Sequence, residues 1–283
     1  MDLQVEEGHF NGYDGSELFF QTWSKTSPAA VILGIHGLGE HSDCYNLLAE
    51  GLSESPFQLF MSDLRGHGRS TGSRGVGSID DYVLDIKLFH SLVKNRFKNL
   101  PLYFLGHSMG GLILLKFLIR NGDLGASGAV LSSPLLGVYE KLAAFKQKSA
   151  GILSKITPNL TLSNEIPFEK LSHYKKVVES YANDPWRHDR ISAKLFIGML
   201  ESMDYAFNQV DKIKLPILMQ QSGDDMIVSQ KRAEEFFEKL TMKDKTQIVY
   251  DGYYHEIYNE VWRDKPFTDL KKWLEKHLPE NRA

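Results

Sequence analysis

A serine between glycines stands in the middle of the chain, in the motif Gly-His-Ser-Met-Gly-Gly at residues 106–111. An apolar run at residues 101–105 precedes the motif, and a helix-like run at residues 112–118 follows it. Gly-x-Ser-x-Gly at a strand-to-helix turn is typical of a nucleophile elbow, where glycines make room for a serine in a strained backbone conformation. The start of the following helix adds positive potential beside the hydroxyl. The bare pattern also occurs by chance, so the flanking strand and helix are what favour Ser108 as a nucleophile.

A serine hydroxyl is a weak nucleophile and needs a base within hydrogen-bond reach. Four histidines follow Ser108: His173, His188, His255 and His277. The first two lie in a region without predicted core strands, and the last follows the final predicted helix, where we expect it to be solvated. His255 comes just after a predicted strand, where open α/β sheets place their sites. We therefore predict that His255 is the base.

An acidic residue must orient the base, and three aspartates compete for this role. Asp224 and Asp225 both follow the predicted strand at residues 217–221. Asp225 stands three residues before Val228, the usual spacing in such a loop, and is the preferred choice. Asp224 remains an alternative, and Asp251 is weaker because it is so near His255 in sequence. A carboxylate in this position fixes the imidazole tautomer and stabilises the imidazolium.

Acyl transfer also needs hydrogen-bond donors for the developing oxyanion. One donor is the backbone N–H after the nucleophile, which here belongs to Met109. The second comes from the loop after the third strand, His-Gly-Leu-Gly-Glu-His-Ser at residues 36–42, where Leu38 is the natural donor. Gly37 and Glu40 of the same loop are predicted to lie at the substrate site. The alternative interpretation of this loop is a plain glycine turn.

Short apolar runs alternate with helix-like runs along most of the chain. The runs are rich in Val, Ile, Leu and Phe without strict alternation, as expected of strands buried on both faces. Residues 5–10 and 16–23 alternate better and flank Asp14-Gly15, which predicts an antiparallel hairpin at one sheet edge. The sequence thus predicts an α/β fold, with a mostly parallel sheet and helices on both faces. The other predicted strands are residues 31–36, 57–62, 102–106, 128–133, 217–221 and 246–250, and the predicted helices are residues 44–52, 79–96, 110–120, 231–240 and 266–277.

One stretch, residues 135–210, has no convincing core strand and is predicted to be an inserted helical cap. The core domain would then comprise residues 1–134 and 211–283. The first part of the stretch has an apolar helical face, with lysines recurring every seven residues beside it. This face either packs on the core domain or meets lipid, since basic amphipathic helices lie in membrane interfaces. Candidate walls of an apolar substrate tunnel are Leu135, Leu136, Phe145, Ile152, Phe196 and Leu200.

Composition excludes several classes of protein. The formal net charge of −3 gives no reason to expect nucleic-acid binding. A single cysteine, Cys44, forms no internal disulfide and makes a thiolate metal site a poor interpretation. The first residues are acidic and lack the apolar core of a signal peptide, so we expect a cytoplasmic protein, with peripheral membrane contact left open. No metal, organic cofactor or obligate protein partner is predicted.

Several motifs together resemble the monoacylglycerol lipase and lysophospholipase-like branch of the α/β-hydrolases. They are the loop at residues 36–42, Asp-Leu-Arg-Gly-His-Gly-Arg-Ser at 63–70, the serine motif at 106–111 and Tyr-Asp-Gly-Tyr-Tyr-His at 250–255. The likeness extends over nearly the whole chain. It implies an eight-stranded sheet, a cap inserted after the sixth strand, and hydrolysis of single-chain lipid esters through an acyl-enzyme on Ser108. Leu38 departs from the pattern, since such relatives often have a smaller residue there.

The resemblance leaves the substrate open among related esters. Monoacylglycerol, cleaved to fatty acid and glycerol, is the first choice, and lysophospholipid or a general carboxylic ester is the alternative. A more remote alternative is an inactive lipid-binding or scaffold protein of the same fold. Such a protein usually lacks one member of the serine, histidine and acid set, whereas this sequence offers a candidate for each.

Overall fold

The computed structural model describes residues 4–139 and 155–279 and contains one large sheet. Its eight strands lie in the order β1-β2-β4-β3-β5-β6-β9-β10, so the expected eight-stranded sheet is confirmed. β1 and β2 form the predicted antiparallel hairpin, β2 pairs antiparallel with β4, and all other neighbours are parallel. In chain order the strands are β1 Gln4–Asn11, β2 Glu17–Ser24, β3 Ala30–Ile35, β4 Phe57–Ser62, β5 Leu102–His107, β6 Gly128–Ser132, β7 Thr161–Ser163, β8 Arg190–Ser192, β9 Ile217–Ser222 and β10 Lys245–Tyr250.

Helices follow the strands at nearly all of the predicted places. Three of them begin at a serine whose hydroxyl accepts a backbone N–H three residues further on: Ser78, Ser192 and Ser229. Such N-caps satisfy donors that have no partner within the helix. The helices are α1 Asn46–Gly51, α2 Ile79–Arg96, α3 Met109–Asn121, α4 Lys175–Asn183, α5 Ala193–Asn208, α6 Gln230–Lys239 and α7 Asp264–Lys276.

The central strands are buried on both faces, as their composition predicts. Every residue of β3, β4 and β5 is buried. Side chains that alternate along β3 enter two separate apolar clusters, Val31 and Leu33 in one and Ala30 and Ile32 in the other. The first cluster includes α2 and α3, and the second includes α1 and α7. Helices therefore cover both faces of the sheet and leave its carboxyl edge free to hold a site.

The chain between β6 and β9 contains α4, α5 and a separate two-stranded sheet. This sheet, β7 paired antiparallel with β8, was not predicted, because strands of three residues are too short to show a periodic pattern. α5 packs on α3, where the Lys116 ammonium donates to Ser202 Oγ at 3.1 Å. The predicted amphipathic face falls mainly on residues 140–154, which lie outside the described residues.

His277 was expected in solvent, but its ring hydrogen-bonds Trp273 O at 2.7 Å and Asp244 Oδ2 at 3.0 Å, so that expectation was wrong. Among the helices of the described ranges, none has the length and apolar character that a membrane crossing requires.

Candidate active site

Ser108 occupies the tight turn between β5 and α3. Its φ of 53° and ψ of −119° lie outside the regions that non-glycine residues ordinarily adopt. The turn is tight because a Cβ on Gly110 would lie 2.1 Å from Ile35 O, and one on Gly106 would lie 2.7 Å from Gly110 O. Only glycine fits at both positions, which explains the spacing of the motif. The turn places the serine at the carboxyl edge of the sheet, where α3 begins.

Three side chains from separate loops form one hydrogen-bonded row. His255 Nε2 lies 2.9 Å from Ser108 Oγ, and its Nδ1 lies 2.7 Å from Asp225 Oδ2. The imidazole is 3% exposed, so water competes little for these bonds. The three residues lie 147 and 30 positions apart in sequence, yet the sheet brings the ends of β5, β9 and β10 to one edge. This arrangement can pass a proton from the hydroxyl to the imidazole.

The carboxylate of Asp225 is held by its own loop. Its Oδ1 accepts the backbone N–H groups of Ile227 at 2.8 Å and Val228 at 2.9 Å, which leaves Oδ2 for His255. The competing residues Asp224 and Asp251 are both exposed. Asp225, the first choice from the spacing, is the aspartate that hydrogen-bonds His255.

Burial and the neighbouring carboxylate act in opposite directions on His255. Burial is the largest effect and lowers the pKa of the imidazole, but the charge of Asp225 and its hydrogen bond raise it. The net result is a pKa above the ordinary value of 6.5. Asp225 therefore stabilises the imidazolium that forms when His255 takes a proton.

The loop after β3 is anchored on both sides of Leu38. The fully buried His36 donates from Nδ1 to Gly37 O at 2.7 Å and accepts the Leu64 N–H at Nε2, 2.9 Å away. Glu40 Oε2 accepts the Gly37 N–H at 2.8 Å and the Tyr45 hydroxyl at 2.9 Å. These bonds hold the loop against the serine, since a Cβ on Gly37 would lie 3.2 Å from Ser108 Cβ.

The motif at residues 63–70 braces the same loop. Asp63 accepts the backbone N–H of Ser42 at 2.7 Å and that of Arg69 at 2.8 Å. His107, beside the nucleophile, is fully buried, and its Nδ1 lies 3.1 Å from Ser132 O. Burial and the nearby His255 lower the pKa of His107 to about 3, so this imidazole is neutral. The Nδ1 contacts of His36 and His107 with backbone carbonyls are structural hydrogen bonds.

A large apolar cavity of about 460 Å³ opens on one side of Ser108. Leu38, Met109, Leu135 and Phe196 line it together with Ser108. Of the other predicted walls, Leu136 is fully buried in the core and Leu200 packs against it, and neither lines this cavity. Phe145 and Ile152 lie outside the described residues. Val138, Leu162, Ile166, Ile191, Met199, Ile227 and Val228 add further apolar walls that the sequence did not single out.

A second cavity, of about 40 Å³, also reaches Ser108 and is lined by charged groups. Glu40 and Gly37 line it, as predicted from their loop, together with Arg187 and Glu256. Arg187 Nη2 donates to Glu256 Oε1 at 3.0 Å, and both side chains are buried. This pair was not predicted from the sequence, because a buried Arg–Glu pair from distant segments leaves no local pattern. The one available signal is the position of Glu256 directly after His255.

One group of side chains in the described ranges offers three potential metal ligands close together. Atoms of His41, Cys44 and Asp184 lie within 4.8 Å of one another. His41 Nε2 and Asp184 Oδ2 already hydrogen-bond at 2.8 Å, which joins the loop after β3 to the chain after α4. The row of Ser108, His255 and Asp225 contains a nucleophile, a base and an acid, and acyl transfer by these groups needs no metal ion.

The mostly parallel sheet, the strained serine turn and the hydrogen-bonded row define an α/β-hydrolase. Residues 26–261 match the family described as serine aminopeptidase, S33, and the chain belongs to this family. The expected class of protein, a serine hydrolase of the α/β-hydrolase fold, is thereby confirmed.

Individual relatives agree with the resemblance drawn from the motifs. Monoglyceride lipase from Homo sapiens is 33% identical over 94% of this chain and 89% of its own length. Phospholipase YtpA from Bacillus subtilis is 29% identical over 91% of this chain and 99% of its own length. The crystal structure of the monoacylglycerol lipase from Paleococcus ferrophilus matches with a TM-score of 0.82 and 31% identity, over 97% of this chain and 100% of that one. The resemblance to monoacylglycerol lipases is therefore confirmed.

Proposed function

We propose that this protein hydrolyses monoacylglycerols to fatty acid and glycerol through an acyl-enzyme on Ser108. The observation that carries the proposal is the position of the serine, which lines both the large apolar cavity and the small charged one. An ester bond at Ser108 would have a fatty acyl chain on one side and a compact polar alcohol on the other. The names of the human and Paleococcus relatives support the same substrate.

The row of side chains supplies a two-step reaction. His255 takes the proton from Ser108 Oγ as the oxygen attacks the ester carbonyl carbon, and Asp225 stabilises the imidazolium. The backbone N–H groups of Leu38 and Met109 hold the oxyanion, and losing one such donor costs about 2.7–4 kcal/mol. His255 then protonates the leaving glycerol oxygen. Water, deprotonated by His255, attacks the acyl-enzyme and releases the fatty acid.

The large cavity fits the acyl chain. Its walls are mainly aliphatic and aromatic side chains, and burying each methylene there contributes about 0.8 kcal/mol. Residues 135–210 would act as the cap over the core formed by residues 1–134 and 211–283. Phe196 and Met199 of α5 and Leu162 of β7 line the cavity from this cap. The length of the cavity would then set the preferred chain length.

The exposed apolar residues of the cap suit contact with a lipid surface. Ile156 is 73% exposed, Leu160 50% and Leu162 57%, and Leu162 also lines the large cavity. Lys155 and Lys194 are exposed in the same part of the cap. Apolar side chains beside cations favour a membrane interface, so substrate would enter the cavity from the lipid.

A lysophospholipase is the second candidate, favoured by the name of the Bacillus subtilis relative. The small cavity argues for the first candidate, because the Glu40 and Glu256 carboxylates line it and would repel a phosphate-bearing head group. Peptide hydrolysis is less well supported. The carboxylates that could bind a substrate amine are already paired, Glu256 with Arg187 and Glu40 with Tyr45.

Hydrolysis rates on monoacylglycerols, lysophospholipids and diacylglycerols of equal chain length test the proposal. We expect the highest kcat/KM on monoacylglycerol, and equal or higher values on either of the others would contradict the proposed substrate. Ser108→Ala should abolish turnover and labelling by a fluorophosphonate without unfolding the protein. Wild-type protein that fails to label would instead be an inactive lipid-binding protein.

A further inference from the structure

We propose that Arg187 selects an uncharged, hydroxyl-bearing head group at the small cavity and that the carboxylates beside it exclude phosphate-bearing lipids. The inference rests on the proposed function and assigns the specificity of that same site to a residue outside the catalytic row. It rests on two features of the cavity walls: buried nitrogen atoms without a hydrogen-bond partner, and charged side chains.

The guanidinium of Arg187 is held rigidly. It stacks 3.5 Å over the ring centroid of Tyr181 and donates to Glu256 Oε1 at 3.0 Å. Glu256 is fixed in turn, since its Oε2 accepts the Tyr181 hydroxyl and the Asn259 amide, the latter at 2.7 Å. The Arg187 side chain is 5% exposed, so its orientation is set by protein contacts. A planar donor fixed in this way is suited to recognise one geometry of ligand.

Three buried nitrogen atoms of the cavity walls have no hydrogen-bond partner within the described ranges: Arg187 Nε, His107 Nε2 and His188 Nε2. Of these side chains, Arg187 and His107 also approach Glu40. Since an unpaired buried polar group is costly, a ligand that pairs with the Arg187 and His107 atoms gains binding energy that a bare alkyl group does not.

The distances around Glu40 show what kind of ligand atom fits. Its Oε1 lies 3.6 Å from Arg187 Nη2 and 3.8 Å from His107 Nε2, both beyond hydrogen-bond length. The neutral His107 has its proton on Nδ1, which faces Ser132 O, so Nε2 is an acceptor. One hydroxyl can therefore donate to His107 Nε2, and a neighbouring hydroxyl can donate to the Glu40 carboxylate. The second of these hydroxyls can also accept the N–H of Arg187 Nε. An alcohol with two neighbouring hydroxyls, such as glycerol, satisfies both places.

Charge argues against an anionic head group, although arginine often binds phosphate. Burial raises the pKa of Glu40, but the charge of Arg187 and the Gly37 N–H outweigh it and hold the pKa below its ordinary value. Glu40 is therefore ionised. The walls of the cavity contain two carboxylates, those of Glu40 and Glu256, and one guanidinium, that of Arg187. A phosphate oxygen only accepts hydrogen bonds and would face the Glu40 carboxylate without a proton between them.

Three oleoyl esters that differ only in the alcohol test the inference: monooleoylglycerol, methyl oleate and oleoyl lysophosphatidic acid. For the wild type we expect kcat/KM on monooleoylglycerol to exceed that on methyl oleate by about 10- to 100-fold, the effect of one or two buried hydrogen bonds. Oleoyl lysophosphatidic acid should be the poorest of the three. Lysophosphatidic acid hydrolysed as well as monooleoylglycerol would overturn the exclusion of phosphate.

Arg187→Lys keeps the positive charge but removes the Nε–H and the planar fork. We expect this variant to raise KM for monooleoylglycerol by at least about 10-fold, with methyl oleate kinetics unchanged. Arg232→Lys is the matched control, because Arg232 also stacks on an aromatic ring, Phe207 at 3.9 Å, and pairs with a glutamate but lines neither cavity. It should leave both substrates unaffected.

A charge-balanced variant covers the risk of misfolding. Arg187→Met with Glu256→Gln removes the guanidinium without leaving an unpaired buried carboxylate. It should also lose the preference for monooleoylglycerol over methyl oleate, measured as the ratio of the two kcat/KM values. Equal losses on both esters in the folded variants would show a merely structural role and overturn the inference. Failure of the proposed function is a different result, namely no turnover of any ester and no fluorophosphonate labelling.

Discussion

Oδ1 of Asp225 accepts the backbone N–H of Val228 at 2.9 Å, three residues further along the chain. This local bond turns the other carboxylate oxygen toward His255 Nδ1, 2.7 Å away. The three-residue spacing from Asp225 to Val228 is thus a physical requirement. The loop must hydrogen-bond one carboxylate oxygen so that the other oxygen faces His255. The adjacent Asp224 has no such closure and is exposed.

Asp225→Asn should lower kcat by about 10³- to 10⁴-fold, because an amide stabilises the wrong imidazole tautomer and no longer stabilises the imidazolium. The control is Asp224→Asn, which changes an exposed side chain one residue away. We expect it to retain nearly full activity. Steady-state hydrolysis of a monoacylglycerol measures both, and a greater loss from Asp224→Asn would reassign the acid.

The rate should depend on pH through His255. The imidazole acts as a base only when neutral, and its pKa lies above 6.5. Therefore kcat/KM should fall as the pH is lowered, with the midpoint of the acidic limb above 6.5.

In Asp225→Asn the effect of burial on His255 is opposed only by the smaller effects of Glu256 and Glu40. The pKa should then fall, and the acidic limb should move to lower pH. A pH profile of kcat/KM for both proteins checks the direction. An unchanged midpoint would show that Asp225 does not set the charge of the base.

Gly110→Ala should destabilise the protein and lower its activity. A Cβ at this position would lie 2.1 Å from Ile35 O and 2.6 Å from His36 O, and neither backbone atom can move without shifting β3. We expect the free energy of unfolding to fall by about 3 kcal/mol, at the upper end of overpacking effects.

Gly198→Ala provides the control for this substitution. Gly198 lies inside α5, and apart from its chain neighbours and the backbone of the same helix no atom lies within 4 Å of an added Cβ. Alanine should raise the free energy of unfolding by about 0.5–1 kcal/mol, because it restricts the unfolded chain and favours the helix. Denaturant unfolding measures both variants, and a Gly110→Ala protein as stable as the wild type would contradict the proposed tightness of the turn.

Met199→Trp should shorten the preferred acyl chain. Met199 is 4% exposed and lines the large cavity, so a larger side chain there would occupy space proposed for the distal part of the acyl chain. We expect the ratio of kcat/KM for palmitoyl to octanoyl glycerol to fall by at least about 10-fold, since each methylene left unburied costs about 0.8 kcal/mol. Leu200→Trp, one residue on and outside the cavity wall, should leave the ratio unchanged.

The sheet and the row of Ser108, His255 and Asp225 were predictable because each follows from short-range rules. Buried parallel strands show apolar runs, the elbow needs its glycines, and the acid needs its loop spacing. β7 and β8 were not predictable, since their three residues each are held by neighbours distant in sequence. Short sequence patterns therefore predict the eight-stranded sheet and the catalytic row better than they predict the chain between β6 and β9.

The side chains that line the two cavities could not be predicted from the sequence either. Leu135 and Leu136 are adjacent and equally apolar, yet only Leu135 lines the large cavity. Arg187 and Glu256 are 69 residues apart, and in sequence each is indistinguishable from a solvated charge. Which side chain faces substrate depends on tertiary contacts that no single stretch of sequence contains.

Gly39 lies in the loop that carries Leu38, and its carbonyl accepts the N–H of His188 at 3.2 Å. A Cβ on Gly39 would lie 2.2 Å from His188 O, so the two backbones touch. The loop and the chain before β8 thus form one shared surface, although 149 positions separate them. A chimaera that combines the core of this chain with the proposed cap of a relative, or the reverse, would have to exchange both segments of that contact together.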